Sequence, residues 1–452
     1  MPKLNHEKIT LVGAGLAGSL LAVFLAKRGF AVEVYERRPD MRKEKIGAGR
    51  SINMAVSTRG LYALRQVGLE EPILQQAIPM KGRMVHALDG TLTFVPYGQD
   101  DREVIYSISR ARLNMILMDE AEKFDEVTLH FSHKCTGMDF QSRELQIVDE
   151  ISGQTSTLSA QRVLGTDGSA SAVRMDMLKT RRFNFSQQYL EHGYKELTIP
   201  PDADGRFLLE KNALHIWPRG TYMLIALPNM DGSFTCTLFY PFEGEHSFAT
   251  LNDKSKVLHF FEEQFPDAVA LMPTLLQDFF SNPTGALVTI KCQPWHFEDS
   301  ALLVGDAAHA IVPFYGQGMN CAFEDCTYLD ECIDKHAGDW QKTFEEFERL
   351  RKANADAIAE LALQNYIEMR DRVAHPDFLL QKQVGLALER KYPNRFVPQY
   401  SMVTFHRMPY SEAQSKGRIH ERILDELCKN VETLEEVDWQ KAEKWLKKEN
   451  LI

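Results

Sequence analysis

Apolar and polar blocks at the start of the chain predict a strand, a helix and a second strand. The run KITLVG is typical of a buried strand, LAGSLLAVFLAKRG of a helix that ends at Gly29, and AVEVYE of a second strand. Farther along, RVLGTDG predicts another strand that ends in a turn. The first part of the chain is therefore predicted to be a Rossmann-like α/β unit.

Between Phe183 and about Lys291 the apolar pattern shifts toward a period of two. The segments ALHIWPRG, TYMLIALPNMDG and SFTCTLFYPF predict consecutive antiparallel strands joined by turns. We expect a sheet that packs on one face and borders a cavity on the other. From about residue 320 onward the pattern is mostly helical, and ANADAIAELALQNYIEMRDRV is a strong helical stretch.

Composition argues against some classes of binding partner and indicates a cellular location. The 452 residues are 44% apolar and 25% charged, with a net charge of −11. That negative charge argues against nucleic acid and against adhesion to an anionic membrane. The chain opens without an apolar leader, and no apolar run nears the roughly 20 residues of a membrane span. We expect a cytoplasmic protein without a signal peptide or a membrane anchor.

The seven cysteines show no paired spacing. Cys321, Cys326 and Cys332 share one predicted helix, but their spacing does not stack them on one face. We therefore predict no metal site, and we interpret the thiols as small buried side chains in a reducing compartment.

Gly13, Gly15 and Gly18 lie between the first strand and the first helix in the spacing Gly-x-Gly-x-x-Gly. Glycine at these positions permits a tight turn, the close approach of a pyrophosphate and packing of the helix on the strand. Glu36 ends the second strand and can accept hydrogen bonds from a ribose diol. The pattern predicts dinucleotide binding and leaves NAD and FAD open. The structural alternative is a glycine-rich turn that only packs.

The segment GDAAHAIVPFYGQGMN (305–320) favours FAD. Asp306 follows another predicted strand, where its carboxylate could hold the ribityl chain of a flavin. The turn at Gly316 and Gly318 would begin a helix whose positive end faces the ring of a reduced flavin. Taken alone, Asp306 could instead be a helix cap.

A third bend places Asp167 after the strand in VLGTDG, where taken alone it would be an ordinary turn. In this order the three pieces resemble those of FAD-dependent aromatic hydroxylases. There is no second Gly-x-Gly-x-x-Gly, so a hydride donor would have to bind transiently.

The resemblance implies an FAD-binding domain interleaved with an antiparallel-sheet substrate domain and followed by a helical region. The predicted boundaries are 1–75, 101–180 and 291–335 for the first, 76–100 and 181–290 for the second, and 336–452 for the third.

Longer strings resemble the kynurenine 3-monooxygenase family and extend to about residue 410. Besides 305–320 they are GRSINMAVSTRG (49–60), HGYKELTIPP (192–201), LHIWPRGTYMLIALPNMDGSFTCTLF (214–239), NYIEMR (365–370) and YSMVTF (400–405). Mitochondrial members of this family end in a membrane anchor. This chain ends in a charged amphipathic helix, which resembles the soluble bacterial members.

The resemblance implies that Arg83, Tyr97, Asn365 and Tyr400 hold the amino-acid end of L-kynurenine. A guanidinium can pair bidentately with a carboxylate, and the phenols and the amide add directional hydrogen bonds. Without the resemblance, Arg83 would be a surface charge and Asn365 would bond to its own helix or to water. The other implied substrate residues are Pro313, Phe314, Gln317 and, one helical turn after Asn365, Met369. Tyr315 stands where some members carry Phe or His.

For FAD, the resemblance adds further positions to the three glycines, Glu36, Asp167 and Asp306. They are Ala17, Tyr35, Arg37, Arg38, Ala55, Arg110 and, at the flavin edge, Gly318, Met319 and Asn320. His309 is expected to be a structural residue rather than an acid or a base.

The implied reaction is NADPH-dependent hydroxylation of L-kynurenine to 3-hydroxykynurenine, with O₂, through a flavin C4a-hydroperoxide. The cofactor carries this chemistry, so no catalytic side chain is assigned. The resemblance implies a place in the kynurenine pathway of tryptophan catabolism and leaves open whether the product feeds NAD biosynthesis. Two alternatives remain: another FAD aromatic hydroxylase or related flavin oxygenase, and a flavin-loaded interaction protein without turnover. A homodimer is the candidate assembly.

Overall fold

The computed structural model describes residues 7–43, 53–100, 102–372, 376–393, 395–449 and 451. The strands in these residues are β1 (Lys8–Val12), β2 (Ala31–Tyr35), β3 (Asn53–Val56), β4 (Ile78–Met80), β5 (Gly82–His86), β6 (Leu92–Pro96), β7 (Ile105–Ser109), β8 (Val127–His130), β9 (His133–Asp139), β10 (Glu144–Asp149), β11 (Thr155–Ser159), β12 (Val163–Gly165), β13 (Asn184–Ile199), β14 (Ala213–Pro218), β15 (Met223–Pro228), β16 (Phe234–Pro241), β17 (Gly285–Gln293), β18 (His296–Phe297) and β19 (Ala301–Leu303).

The helices of the described residues are α1 (Leu16–Lys27), α2 (Thr58–Val67), α3 (Glu70–Leu74), α4 (Arg110–Ala121), α5 (Ala172–Met177), α6 (Lys254–Gln264), α7 (Pro266–Val269), α8 (Leu275–Ser281), α9 (Asp306–His309), α10 (Gly318–His336), α11 (Trp340–Ile367), α12 (Pro376–Lys391), α13 (Gln399–Thr404), α14 (Tyr410–Leu427) and α15 (Trp439–Lys448). Short 3₁₀ turns span Pro313–Tyr315 and Leu434–Glu436, and a π-helical turn spans Glu368–Arg372.

The chain forms two compact units, each assembled from three separated segments. Unit 1 consists of Met1–Gln76, Ile108–Leu190 and Leu287–Ala359, and unit 2 of Ala77–Ser107, Glu191–Ala286 and Glu360–Ile452. The chain is thus interleaved. The division into three domains at the boundaries given above stays a prediction.

A six-stranded sheet lies in unit 1, in the order β18-β19-β12-β1-β2-β8. All neighbours are parallel except the edge pair β18 and β19. Four successive residues of β1, from Ile9 to Val12, are buried, which is typical of a parallel strand covered on both faces. Val12 pairs with Gly165, and Gly165 pairs with Leu303, so β1, β12 and β19 end level at one edge of the sheet.

Helix α1 returns the chain from β1 to β2, as the sequence predicts. Every residue from Leu20 to Ala26 is buried, because this helix lies inside unit 1 rather than on its surface. The helix ends before Gly29, whose φ of 86° lies in the left-handed region that glycine adopts without strain.

The larger sheet of unit 2 runs in the order β13-β16-β15-β14-β5-β6, with β13 belonging to unit 2 from Glu191 onward. Its pairs are antiparallel except β14 with β5. The alternating side chains Phe234, Cys236, Leu238 and Tyr240 of β16 pack in one core with α6, α7 and α8. The antiparallel strands predicted after Phe183 are therefore confirmed as β14, β15 and β16.

The last helices of unit 2 form a second core, in which α12, α14 and α15 bury Leu388, Ile423 and Leu446. This confirms the predicted helical C-terminal region and, with the two sheets, the predicted α/β class. Across the described residues, no helix has both the length and the apolarity that a bilayer crossing requires.

Candidate functional site

Three sequence bends meet at the edge where β1, β12 and β19 end. Thr166, which follows β12, donates its hydroxyl to the carbonyl oxygens of Val12 and Gly13 at 2.9 and 2.8 Å. A Cβ placed on Gly305, which follows β19, would lie 3.4 Å from the Cβ of Ala17. The fold thus brings Gly13, Asp167 and Asp306 to one edge of a parallel sheet, where α/β proteins commonly bind ligands.

The three glycines of the motif have different roles in this turn. A Cβ on Gly18 would lie 2.0 Å from the carbonyl oxygen of Gly13, so only glycine lets α1 pack this closely. Gly13 has a φ of 102°, which most residues avoid. Gly15 has no neighbouring atom within 4 Å of its hypothetical Cβ. It precedes α1 with no side-chain cap, which leaves N–H groups at the positive helix end for an anion.

Glu36 lies buried beside this turn as an ionised carboxylate. Its Oε2 accepts from the backbone N–H of Ala14 at 2.9 Å, and its Oε1 accepts from the backbone N–H and the Nε–H of Arg38 at 3.0 and 2.8 Å. Burial alone would raise the pKa of Glu36, but Arg38 and these N–H groups hold it below its usual value. A charged carboxylate at this place suits a ribose diol.

Asp167 has hydrogen-bonding capacity to spare. The N–H of Ala172 donates to its Oδ2 at 2.7 Å. Its Oδ1 is buried and lacks a hydrogen-bond partner among the described residues. Burial raises the pKa of Asp167. Buried polar atoms are nearly always paired, so a hydroxyl or amide of a bound group would satisfy this oxygen. Asp306 is exposed at the first position of α9.

The remaining predicted cofactor positions range from buried to exposed, and Ala17, Tyr35, Ala55 and Gly318 are partly buried. Asn320 is buried, donates to the carbonyl oxygens of Ala55 and Gly316 at 2.8 Å each, and accepts from the N–H of Ser57 at 2.9 Å. Gly318 and Met319 begin α10 beside it. Tyr35 stacks on His130 at 4.6 Å between ring centroids. Arg37, Arg38 and Arg110 are exposed. A dinucleotide cofactor fits this set of glycines, carboxylates and open N–H groups.

A group of buried charged residues in unit 1, which the sequence reasoning missed, supports these bends. We call Arg59, His309, Glu324, Asp325 and Arg351 the buried charge network. Arg351 binds Asp325 at 2.7 Å and Glu324 at 2.6 Å, and Glu324 also binds Arg59 at 2.6 Å. Two adjacent acids inside the apolar run CAFEDC were the available signal, because acids in such a run need partners.

Asp325 connects this network to the bend at Gly305. Its Oδ2 contacts His309 Nε2 at 2.6 Å and accepts from the N–H of Gly305 at 3.1 Å. Burial works against a charge on His309, but the Asp325 carboxylate keeps the pKa of His309 well above its usual value. His309 thus has the structural contacts expected of it.

Cys321, His309 and Asp325 offer ligand atoms within 4.8 Å of one another. Arg351 also donates toward the carbonyl oxygen and the Sγ of Cys321, at 3.3 and 3.4 Å. Its guanidinium already supplies the positive charge that these groups require, and it would repel a metal cation. The cluster therefore gives no reason for a metal, and the expectation of none stays a prediction.

Unit 2 holds a second buried arginine among aromatic rings. We call Arg83, Tyr97, Glu368 and Tyr400 the Arg83 cluster. The two tyrosine rings stack with centroids 5.2 Å apart, and Arg83 Cζ lies 5.7 Å from one centroid and 5.4 Å from the other. Glu368 reaches Arg83 only at 3.7 Å. Sequence reasoning predicted Arg83, Tyr97 and Tyr400 but missed Glu368.

Arg83 remains charged and incompletely paired. Burial works against its charge, but Tyr97, Tyr400 and Glu368 hold the pKa of Arg83 above its usual value. Arg83 is 4% exposed. Its Nε is buried and finds no hydrogen-bond partner in the part of the chain that the structure describes. A guanidinium with a donor left over can take a carboxylate.

Asn365 lies in the buried stripe of α11, and its amide donates to Met369 Sδ at 3.4 Å. A π-helical turn begins at Glu368, directly after α11. Such turns occur frequently at functional sites, and this one carries Glu368 of the Arg83 cluster. The other predicted substrate residues belong to unit 1: Pro313 is exposed, whereas Phe314 and Gln317 are buried. Tyr315, to which no role was assigned, is also buried.

Comparison with known proteins identifies both the domain and the relatives. The family model described as an FAD binding domain matches residues 7–203 and 286–359. A kynurenine 3-monooxygenase of Myxococcus xanthus is 52% identical over 98% of this chain and 95% of its own length. The kynurenine 3-monooxygenase of Dictyostelium discoideum is 46% identical over 99% of both chains.

Solved structures share the fold at low identity. The tetrameric form of 2-methyl-3-hydroxypyridine-5-carboxylic acid oxygenase superposes with a TM-score of 0.66 and 19% identity, covering 85% of this chain and 98% of its own. Pseudomonas aeruginosa PqsL in complex with 2-aminobenzoylacetate gives a TM-score of 0.62 and 18% identity, covering 81% and 99%. The predicted FAD cofactor is confirmed, and the chain belongs to the kynurenine 3-monooxygenase family of FAD-dependent enzymes.

Proposed function

We propose that the protein hydroxylates L-kynurenine to 3-hydroxykynurenine, with NADPH as the electron donor and O₂ as the source of the oxygen atom. Relatives of 46–52% identity over nearly the whole chain support this assignment. The observation that carries it is Arg83, whose buried guanidinium has a donor to spare between two phenols. This arrangement suits the free carboxylate of an amino acid.

In this proposal Arg83 pairs with the substrate carboxylate, and Tyr97, Tyr400 and Asn365 add hydrogen bonds. Met369 lies one helical turn from Asn365 and supports its amide. Pro313, Phe314 and Gln317 are assigned to the aromatic end of the substrate. The amino group of the kynurenine ring donates electron density to the carbon beside it, which directs hydroxylation to that position.

We assign FAD to unit 1. Gly13, Gly15, Ala17 and Gly18 would receive the pyrophosphate, and Glu36 the ribose. The other assigned residues are Tyr35, Arg37, Arg38, Ala55, Arg110, Asp167, Asp306, Gly318, Met319 and Asn320. When bound, FAD supplies the electron transfer from NADPH and the activation of O₂. The side chains bind, orient and exclude water, and none is required as an acid or a base.

The test is turnover by the purified, FAD-loaded protein. NADPH oxidation is followed with and without L-kynurenine under ¹⁸O₂, and the product is identified by mass spectrometry. We expect kynurenine to stimulate oxidation and one labelled oxygen to enter the ring. Oxidation that yields only hydrogen peroxide with every concentration of kynurenine would rule out this substrate. A binding protein without turnover would oxidise no NADPH at all.

The role of Asp306 is tested separately, without turnover. We expect Asp306→Ala to be purified without the yellow colour of bound FAD and to bind added FAD at least about tenfold more weakly, since a charge-assisted hydrogen bond is lost. Asp125→Ala, an exposed acid of the same unit, is the control. A fully yellow Asp306→Ala protein would remove Asp306 from the site.

The cytoplasmic location, the homodimer and the place of the product in tryptophan catabolism or NAD biosynthesis stay predictions. None of them is needed for the proposed reaction.

A further inference from the structure

One carboxylate oxygen of Asp325 contacts both ends of the short helical turn α9, which begins at Asp306. Asp325 Oδ2 accepts from the backbone N–H of Gly305 at 3.1 Å and lies 2.6 Å from His309 Nε2. Gly305 is the residue before α9, and His309 is its last residue. Asp325 itself is completely buried on α10. It therefore connects the residue before Asp306 to the residue three positions after it.

The turn has few hydrogen bonds of its own. Its four residues form one helical turn, in which the N–H groups of Ala308 and His309 both donate to the carbonyl oxygen of Gly305 at 2.9 Å. Gly305 has a φ of 62° and no side chain with which to cap the turn. A single hydrogen-bonded turn is unfavourable by itself. Contacts from the rest of unit 1 therefore hold Asp306 in place.

Other side chains of unit 1 contact the middle of the turn. Arg174 donates to the carbonyl oxygen of Ala307 at 2.7 Å, and Cys292 Sγ–H donates to the carbonyl oxygen of Ala308 at 3.2 Å. Both of these bonds hold carbonyl oxygens inside the turn, whereas Asp325 holds its two ends. Asp325 thus fixes the backbone on either side of Asp306.

Asp325 and its neighbour Glu324 share the buried charge network but have different contacts. Arg351 donates its Nε–H to Asp325 Oδ1 at 2.7 Å and binds Glu324 at 2.6 Å. Glu324 also binds Arg59 at 2.6 Å, and neither arginine belongs to the turn. Both acids are buried and paired with cations, but Asp325 also bonds to the turn that carries Asp306. The pair therefore separates a contact with this turn from burial in the network.

We propose that Asp325 is a positioning residue for the cofactor and holds α9 so that the Asp306 carboxylate is already oriented when FAD binds. This inference rests on the proposed function, because it requires the assigned role of Asp306 as an FAD ligand. Asp325 does not touch FAD in this proposal. It preorganises the site, since a ligand group that is fixed beforehand does not have to be ordered on binding. Loss of Asp325 should therefore weaken FAD binding only through Asp306.

The experiment is a double-mutant cycle on the Kd for FAD, measured by flavin fluorescence titration of the full-length protein after removal of FAD. We expect Asp325→Asn to raise the Kd about 5- to 30-fold, because an amide has one acceptor oxygen where the carboxylate uses two. In the Asp306→Ala background the same substitution should raise the Kd less than about twofold, since the group through which it acts is gone.

Glu324→Gln is the matched control. It removes one negative charge from the same buried network and should lower the free energy of unfolding of the FAD-free protein as Asp325→Asn does, measured by urea denaturation. Its Kd for FAD should stay within about twofold of the wild type. An increase in the Kd as large as that of Asp325→Asn would overturn the inference, because it would trace the weaker binding to the network as a whole.

If Asp325→Asn does not fold, His309→Gln replaces it in the cycle, because it removes the contact at the far end of the turn and keeps the bond to Gly305. We expect a rise in the Kd of about 3- to 10-fold that also disappears in the Asp306→Ala background. The same rise in both backgrounds would overturn the inference and leave the proposed role of Asp306 intact. If Asp306→Ala alone binds FAD like the wild type, that proposed role fails and the inference fails with it.

Discussion

Two buried arginines, one in each unit, show how similar burial serves different ends. Arg351 is 1% exposed and Arg83 is 4% exposed. Arg351 has carboxylate oxygens at 2.6 and 2.7 Å. Arg83 has one at 3.7 Å and a buried Nε with no hydrogen-bond partner in the described part of the chain. The buried charge network is complete within the protein, whereas the Arg83 cluster is left incomplete.

We interpret this difference as the one between a structural charge, Arg351, and a proposed binding charge, Arg83. Removing one partner from a complete buried pair leaves the other charge uncompensated, which costs stability. Removing a guanidinium that the fold does not fully pair leaves little behind in the free protein. Its loss should appear when a ligand needs it.

Arg351→Met should have the largest effect on folding. Glu324 would keep Arg59 and Asp325 would keep His309, but each acid would lose one of its two buried cationic partners inside unit 1. We expect the free energy of unfolding to fall by about 3–5 kcal/mol, measured by urea denaturation. Arg349→Met, which removes an exposed arginine from the same helix, should change it by less than about 0.5 kcal/mol. Equal effects of the two substitutions would contradict the comparison.

Arg83→Met should instead weaken ligand binding and leave the free energy of unfolding nearly unchanged. We expect the Kd for L-kynurenine to rise about 30- to 1,000-fold, which corresponds to about 2–4 kcal/mol for a buried charge pair. The free energy of unfolding and the affinity for FAD should stay close to the wild type. Arg102→Met, at a side chain 90% exposed in unit 2, is the control. A variant with a much lower free energy of unfolding but an unchanged Kd for L-kynurenine would assign a structural role to Arg83.

The His309→Gln variant tests whether His309 is charged in the buried charge network. The quantity compared is the stability of wild type and variant at two pH values. Burial of His309 opposes its positive charge, but the Asp325 carboxylate keeps the pKa of His309 well above 6.5. A raised pKa stabilises the fold fully below 6.5, and the stabilisation declines by about 1.4 kcal/mol per pH unit above it. The stability gap between wild type and variant should therefore be larger at about pH 6 than at about pH 8, by urea denaturation. A gap that is constant with pH would indicate a neutral His309.

Arg38→Ala should give the smallest effect. Arg38 pairs with Glu36 at 2.8 Å, but its side chain is 50% exposed. Exposed ion pairs contribute about 0–1 kcal/mol, so we expect FAD affinity to fall less than about fivefold, measured by fluorescence titration. A loss as large as that expected for Asp306→Ala would mean that Arg38 contributes far more to FAD binding than its exposed ion pair with Glu36 accounts for.

The cofactor bends were predictable because their signal is local. The glycine spacing, Glu36 and the strands before Asp167 and Asp306 are each contained in about ten residues of sequence. Parallel strands then place their ends together, and the register of Val12, Gly165 and Leu303 does so here. The Arg83 cluster required the resemblance, because an isolated arginine in a sequence gives no indication of burial.

The buried charge network was not predicted because its members are far apart in sequence. Arg59 and Arg351 are ordinary helical residues until α10 places Glu324 between them. Charge in a helix predicts exposure unless a distant partner is known, and pattern reasoning does not supply the partner.

A substitution at Gly15 can test nucleotide binding without disturbing the fold of the empty protein. Its φ of −71° is one that alanine adopts readily, and a methyl group there would touch nothing. The same methyl at Gly18 would collide with the backbone. A Gly15→Ala protein should therefore melt like its parent when empty. A difference that emerges only on adding FAD would support the proposed pyrophosphate site at Gly15.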